Sequence, residues 1–282
     1  MSTVVRALYL FTVFATRGGD GLEPTDRLVP PGFVGNPWGP VATHARATGA
    51  IPPIPVTPYM QQWDKWGKTV LHDGDILFRR GNARILFRYF PFSRFLANLT
   101  GSPYSHTGVV SIENGQAVIY DTAKSSVRRQ PFYIWVLDDV DTLGLKRLRP
   151  AYRDRIPGVL AYVRKVYQEQ VPFDFNLDPD DSELYCVEMA EKAFRSAGLV
   201  LSQPVRIRDM EHFREFPVNV YIMRMLSWVT LDRPLSLDRP VFCPGNERHG
   251  IWSSPYLETI YPTTPAAYTR GTSTSSTRPT GS

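Results

Sequence analysis

Two short segments of this chain hold the residue types of a thiol nucleophile, Ser105-His106-Thr107-Gly108 and Tyr185-Cys186-Val187-Glu188. A cysteine attacks as its thiolate, and a helix N-terminus or a neighbouring imidazole lowers the thiol pKa enough to supply that form near neutral pH. Asp181 or Ser182 can cap a helix running from Ser182 to Ala197. Cys186 then falls in about its first turn, where unpaired backbone N–H groups and the macrodipole favour an anion. His106 stands at the mouth of the apolar run Val109-Val110-Ser111-Ile112, where it can serve as a general base. Neither residue is decisive alone. A lone cysteine beside Val187, Met189 and Ala190 is more often a packing residue, and a lone histidine more often sits at a surface. The other histidines, His44, His72, His212 and His249, lack a comparable setting.

A catalytic imidazole needs a third group to orient it. Glu113-Asn114-Gly115 joins the runs 108–112 and 116–121, and Asn-Gly between apolar runs is a strong hairpin signal. With the turn there, His106 lies roughly opposite residues 121–123, which brings Asp121 near; its face depends on register. Glu188 competes for the role but follows the cysteine by two positions and points elsewhere on the helix. Tyr104 and Tyr185, flanking the two reactive residues, are the candidate substrate-binding positions.

The elements that must position these groups read as α+β. Helices are expected over Tyr59–Val70, Arg155–Gln170, Ser182–Ala197 and Val218–Leu231. Asp75–Phe78, Gly108–Ile112, Gln116–Asp121 and Leu143–Leu148 read as strands. Asn82–Leu99 is an aromatic-rich helical stretch broken at Pro91. Strands run together with helices flanking them, the α+β pattern. Residues 1–58 hold a short apolar segment, Ala7–Ala15, and a Pro/Gly-rich arm over 16–58, not a packed element. Residues 59–262 form the one domain, and 263–282 a low-complexity tail. An arm placed before the first strand is a candidate cover for the site.

Composition narrows the classes. With 282 residues, 43% of them hydrophobic, one sizeable core is available. The two cysteines, Cys186 and Cys243, exclude a disulfide framework and a Cys-rich zinc site; one bridge between them is allowed by count but would consume the reactive thiol. The net charge of +5 is spread along the chain and suits an anionic surface or substrate. No basic run or zinc-finger spacing points to nucleic acid. Asp174, Asn176, Asp178 and Asp180 are spaced like a calcium loop, but Pro179 stands where glycine is needed and Tyr185 where a bidentate glutamate is needed. This reads as a solvated acidic loop. Arg6 followed by Ala7–Ala15 reads either as a short export signal or as a disordered or wrongly started N-terminus, the protein then being cytoplasmic; it is too short to span a membrane.

Taken in order, these segments resemble the circularly permuted branch of the NlpC/P60 cysteine hydrolases, in particular the YiiX/YaeF-like amidases. Asp73–Phe78 resembles the opening Gly-Asp-Ile strand, Ser105–Val110 the histidine strand, and Val118–Ala123 the next strand with its polar third residue. Val127–Phe132 matches the short segment that follows, and Phe173-Asp174-Phe175 with Leu184–Glu188 the cysteine motif. Two positions depart: Val187 replaces the usual serine, and Asp121 a more usual glutamate or histidine. The resemblance implies a permuted papain-like fold, an antiparallel sheet or partial barrel with the nucleophile helix packed on it. It implies a thiol-dependent hydrolase of amidase or peptidase type, acting on amides, esters or thioesters. Cys186 would attack, His106 act as base and Asp121 orient it, with no metal or cofactor. A small molecule, a lipid, or a peptide or cell-wall amide fits as substrate. An acyltransferase using the same thioester, and a non-catalytic binding module, are the alternatives. The aromatic stretch Phe87–Phe92 suggests either a peripheral membrane contact or, more plainly, core packing. Oligomeric state is left open.

Overall fold

A computed structural model describes residues 35–81, 83–84, 89–123, 126–138, 142–177, 182–231 and 234–264. The helices are α1 Pro40–Ala47, α2 Pro58–Val70, α3 Phe92–Leu99, α4 Phe132–Trp135, α5 Ile156–Gln168, α6 Cys186–Ser196 and α7 Pro217–Leu231. The strands are β1 Ile76–Arg80, β2 His106–Glu113, β3 Gln116–Ala123, β4 Ser126–Pro131, β5 Thr142–Leu148, β6 Val205–Arg206, β7 Pro240–Val241 and β8 Leu257–Thr264. Six strands form one sheet in the order β4-β3-β2-β1-β5-β8, every neighbour antiparallel.

The central strands are covered on both faces, which is why they read as continuous apolar runs and not as an alternation. Ile76, Phe78, Val109, Val118 and Tyr120 join the core beneath α5 and α6. Leu77, Val110, Ala117 and Ile119 join a second core with Trp63 of α2 and with Phe132 and Trp135 of α4. Asn114 and Gly115 have φ of 51° and 76°, and Glu113 pairs with Gln116. That is the two-residue turn with positive φ at both positions that suits a right-twisted hairpin.

Residues 36–47, read from sequence as part of an unpacked arm, are packed. Trp38 is 2% exposed, against Met60 and Ile134. Asn36 Nδ2 donates to Ser126 Oγ at 2.8 Å, and Arg129 N donates to Trp38 O at 3.0 Å. Together with the Val127 N bond to Val171 O, these contacts occupy the outer edge of β4. Unpaired edge strands invite aberrant pairing, and this segment closes one. It lies on that edge, not over the site, so the cover role is not seen in residues 36–47. The remainder of 1–34 and the tail beyond 264 lie outside the described residues.

Candidate active site

Helix α6 starts at Cys186, four residues later than Ser182. An isolated bridge between Phe173 and Leu184, with Leu184 N donating to Pro172 O at 2.9 Å and Asp174 N to Leu184 O at 3.2 Å, holds the preceding stretch extended. Tyr185 is the N-cap, without a side-chain cap bond, and its carbonyl accepts the first helical bond, from Met189 N. Cys186 therefore occupies the first helical position, with its own N–H and those of Val187 and Glu188 ahead of the hydrogen-bonded ladder. Val187, where a serine is usual, packs into the core.

Strand β2 starts at His106. Thr107 turns to the helix, its Oγ1 donating to Cys186 O at 3.1 Å, which ties the strand to the first residue of α6. His106 Nε2 lies 2.7 Å from Asp121 Oδ2. An ionised carboxylate only accepts, so Nε2 carries the proton and Nδ1 is left for the Cys186 thiol, with which the ring shares a hydrogen bond. In the register of β2 and β3, Val109 faces Tyr120, so one step on Gly108 faces Asp121. A Cβ at Gly108 would lie 2.5 Å from Ile119 Cγ2 and 3.6 Å from Asp121 Cβ. The glycine of Ser-His-Thr-Gly leaves the diagonal between His106 and Asp121 open.

Asp121 is wholly buried. Arg128, directly across on β4, grips it with two bonds, Nε to Oδ1 at 2.9 Å and Nη2 to Oδ2 at 2.7 Å. Trp135 Nε1 donates to Oδ2 at 2.8 Å. Arg79 lies 3.9 Å from the same oxygen, stacks 4.2 Å over the Trp135 ring, and donates to Trp135 O at 2.6 Å and to Asp138 Oδ2 at 3.1 Å. A buried carboxylate on its own would be protonated. Burial does push Asp121 up, but Arg128 and His106 outweigh it and hold the carboxyl far below the usual carboxylate range.

The reacting pair is polarised accordingly. Burial alone would lower the His106 pKa, yet the Cys186 charge and the bond to Asp121 overcome this and the opposing Arg79, leaving it at about 9. Burial alone would raise the Cys186 thiol, but His106 and the Thr107 N–H pull it below its ordinary value. Both shifts favour a thiolate beside an imidazolium. Cys186 is 8% exposed, and the His106 side chain 16%. Cys243 is also a free thiol, and burial pushes it up to about 12. Behind the pair, Glu188 is buried, bonded to Lys192 at 2.9 Å, and raised to about 7, first by burial and then by nearby Asp174.

The structure thus brings Cys186, His106 and Asp121 together. It does not do so for the two tyrosines. Tyr104 is fully buried against Phe78 and Trp252, and Tyr185 is 8% exposed with its hydroxyl accepting from Phe242 N at 2.6 Å. Both side chains are spent on packing, Tyr104 sealed and Tyr185 with its hydroxyl bonded to the backbone. Arg79, Arg128 and Trp135 escaped the sequence reading. Of the stretch Phe87–Phe92, residues 89–92 are described: Tyr89 is exposed, Phe90 is core, and Phe92 packs half-buried beside it. Of the calcium-like positions, Asp174 is buried, while Asp178 and Asp180 lie outside the described residues.

The family pattern of permuted papain-like amidases of the YaeF/YiiX type matches residues 70–216, just over half of the chain and the whole span from β1 past α6. The chain belongs to that family. It is the YaeF/YiiX group proper, to which NlpC/P60 is a neighbouring clan. Its fold is also that of a solved structure described as the metalloprotein YiiX from Escherichia coli O157:H7, with a TM-score of 0.55 and 17% identity over 68% of this chain and 99% of that one. No curated protein matches the sequence. Membership makes the chain an enzyme of the cysteine-hydrolase type. Among the described residues of this amidase, no group of three or more His, Cys, Asp or Glu side chains is placed to hold a metal ion. Within the site, His106 and Asp121 bond each other, and Asp121 is further held by Arg128 and Trp135, so this pair does not fit a metal.

Proposed function

We propose that this amidase cleaves an amide or ester through an acyl-enzyme on Cys186, with His106 as acid and base and Asp121 as the positioning carboxylate. The observation that carries the reading is the Cys186–His106–Asp121 chain of hydrogen bonds at the N-terminus of α6. The Cys186 thiolate attacks the carbonyl carbon, and the oxyanion forms beside the unpaired N–H groups of the first turn. As the tetrahedral intermediate collapses, the bond to the leaving amine or alkoxide breaks and His106 Nδ1–H supplies its proton. Water then gives a proton to Nδ1 and attacks the thioester carbon. The C–S bond breaks, releasing the carboxylic acid, which ionises in water, and restoring the thiolate beside the imidazolium. Asp121 stays ionised throughout, because Arg128 and Trp135 hold it.

Alkylation of Cys186 by iodoacetamide across pH, read by peptide mass spectrometry in wild type and His106→Ala, tests the pair. Labelling in wild type well below the ordinary thiol pKa of ~8.5, lost in the variant, is expected. A normal thiol profile unaltered by the substitution would remove the enzymatic assignment of these residues. Trapping an acyl adduct from p-nitrophenyl esters then tests the covalent step. Adding an amine or alcohol acceptor separates a hydrolase from an acyltransferase by the product formed.

A further inference from the structure

Helix α7, Pro217–Leu231, is apolar on both sides. Val220, Ile222, Met223 and Leu226 pack inward with Phe90 and Phe95. The opposite face carries Val218, Tyr221, Met225 and Trp228, exposed at 66%, 63%, 45% and 60%. These positions recur at helical spacing and form one stripe. A helix apolar all round is ordinarily buried on every side, and here half of it meets solvent. No carboxylate occurs anywhere in α7; its one charge, Arg224, borders the stripe, and just before the helix Arg214 and Glu215 both stand exposed. The chain as a whole carries +5.

We propose that this face of α7 lies in the head-group layer of an anionic lipid surface. Tyr and Trp are the side chains that prefer the water–hydrocarbon boundary, and an arginine at the border of the stripe complements anionic head groups. Four side chains present on the order of 500 Å², short of the roughly 800 Å² per partner that a standard protein interface buries. Among the described residues no helix is long and apolar enough to cross a membrane, so the helix lies on the surface and does not span it. The helix packs on α3, which belongs to the excursion between the end of β1 at Arg80 and the start of β2 at His106. α7 therefore joins the fold through the connection that runs from the end of β1 to the start of β2.

Flotation of the full chain with vesicles of phosphatidylcholine alone, and of equimolar phosphatidylcholine and phosphatidylglycerol, tests this. Wild type is expected to float with the anionic vesicles. Tyr221→Ser/Trp228→Ser, both exposed and so compatible with folding, should weaken that partition by about tenfold or more. Arg224→Glu should weaken it on anionic vesicles only. Circular dichroism and Cys186 alkylation should match wild type in all variants, which separates this surface from the catalytic reading. Wild type that stays unbound to anionic vesicles, or a double variant that floats as well as wild type, would overturn the proposal. So would a dimer in sedimentation velocity that the double variant abolishes, since the occupant would then be a second copy.

Discussion

Replacing Asp121 with asparagine keeps an acceptor 2.7 Å from His106 Nε2 and removes the charge behind it. Charge-assisted hydrogen bonds are roughly twice as strong as neutral ones, so the imidazolium should lose about 1–2 kcal/mol of support. Asp121 also repels the Cys186 thiolate, a smaller and opposite effect that returns part of the loss. The equilibrium constant for the thiolate–imidazolium form should fall by a factor of about 5–30. Stability should fall too, because the substitution removes the buried charge that Arg128 grips with two bonds. Breaking one member of a buried ion pair costs about 3–5 kcal/mol; Asp138, 4.0 Å from Arg128, compensates in part and places the cost at the low end. The assay is the initial rate of Cys186 alkylation from acid to alkaline pH in Asp121→Asn and wild type, with thermal unfolding in parallel. Cys243 does not interfere, since its thiol is buried and pushed up to about 12. A folded Asp121→Asn protein that alkylates with the wild-type rate and pH profile would refute the argument that this carboxylate sustains the ion pair.

Three further outcomes are expected. Gly108→Ala should cost about 1–3 kcal/mol in urea unfolding and slow alkylation, because the new methyl meets Ile119 Cγ2 at 2.5 Å and crowds the diagonal to Asp121; unchanged stability would show that the strands separate freely there. Glu188 should make stability fall as pH rises from about 4.5 to about 7, since the folded state holds its proton longer than the unfolded chain. The decline should reach about 1–3 kcal/mol and be absent in Glu188→Gln, as denaturation at several pH values would reveal. Trp38→Ala should cost about 3–5 kcal/mol, although Trp38 belongs to the Pro/Gly-rich segment, with the loss read as a lowered unfolding midpoint.

The meeting of His106 and Asp121 was legible because one Asn-Gly turn fixes the register of a whole hairpin, and register fixes neighbours. Arg128 was not legible by the same logic. Ala123-Lys124-Ser125-Ser126 carries no such turn signal, so β4 was not read as a strand and Arg128 could not be set against Asp121. Arg79 and Trp135 reach the site from β1 and α4, and nothing local in sequence links them to it. The start of α6 was misplaced for another reason: Ser182 is a good cap, but the pairing of Leu184 with Phe173 overrides local preference. Tyr104 and Tyr185 adjoin the reactive residues in sequence, but burial commits both to the core.

The cluster of Arg79, Arg128, Asp121 and Asp138 holds two positive and two negative groups, all nearly sealed from solvent. Its formal charge is zero, and so is that of a thiolate beside an imidazolium. Dissolved ions screen exposed charges, not buried neutral clusters. The acidic limb of the alkylation profile should therefore hardly move with ionic strength. Attachment through Arg224 faces water, and salt should weaken it. Potassium chloride thus separates reactivity from location: it releases the enzyme from a charged surface without altering the nucleophile it carries.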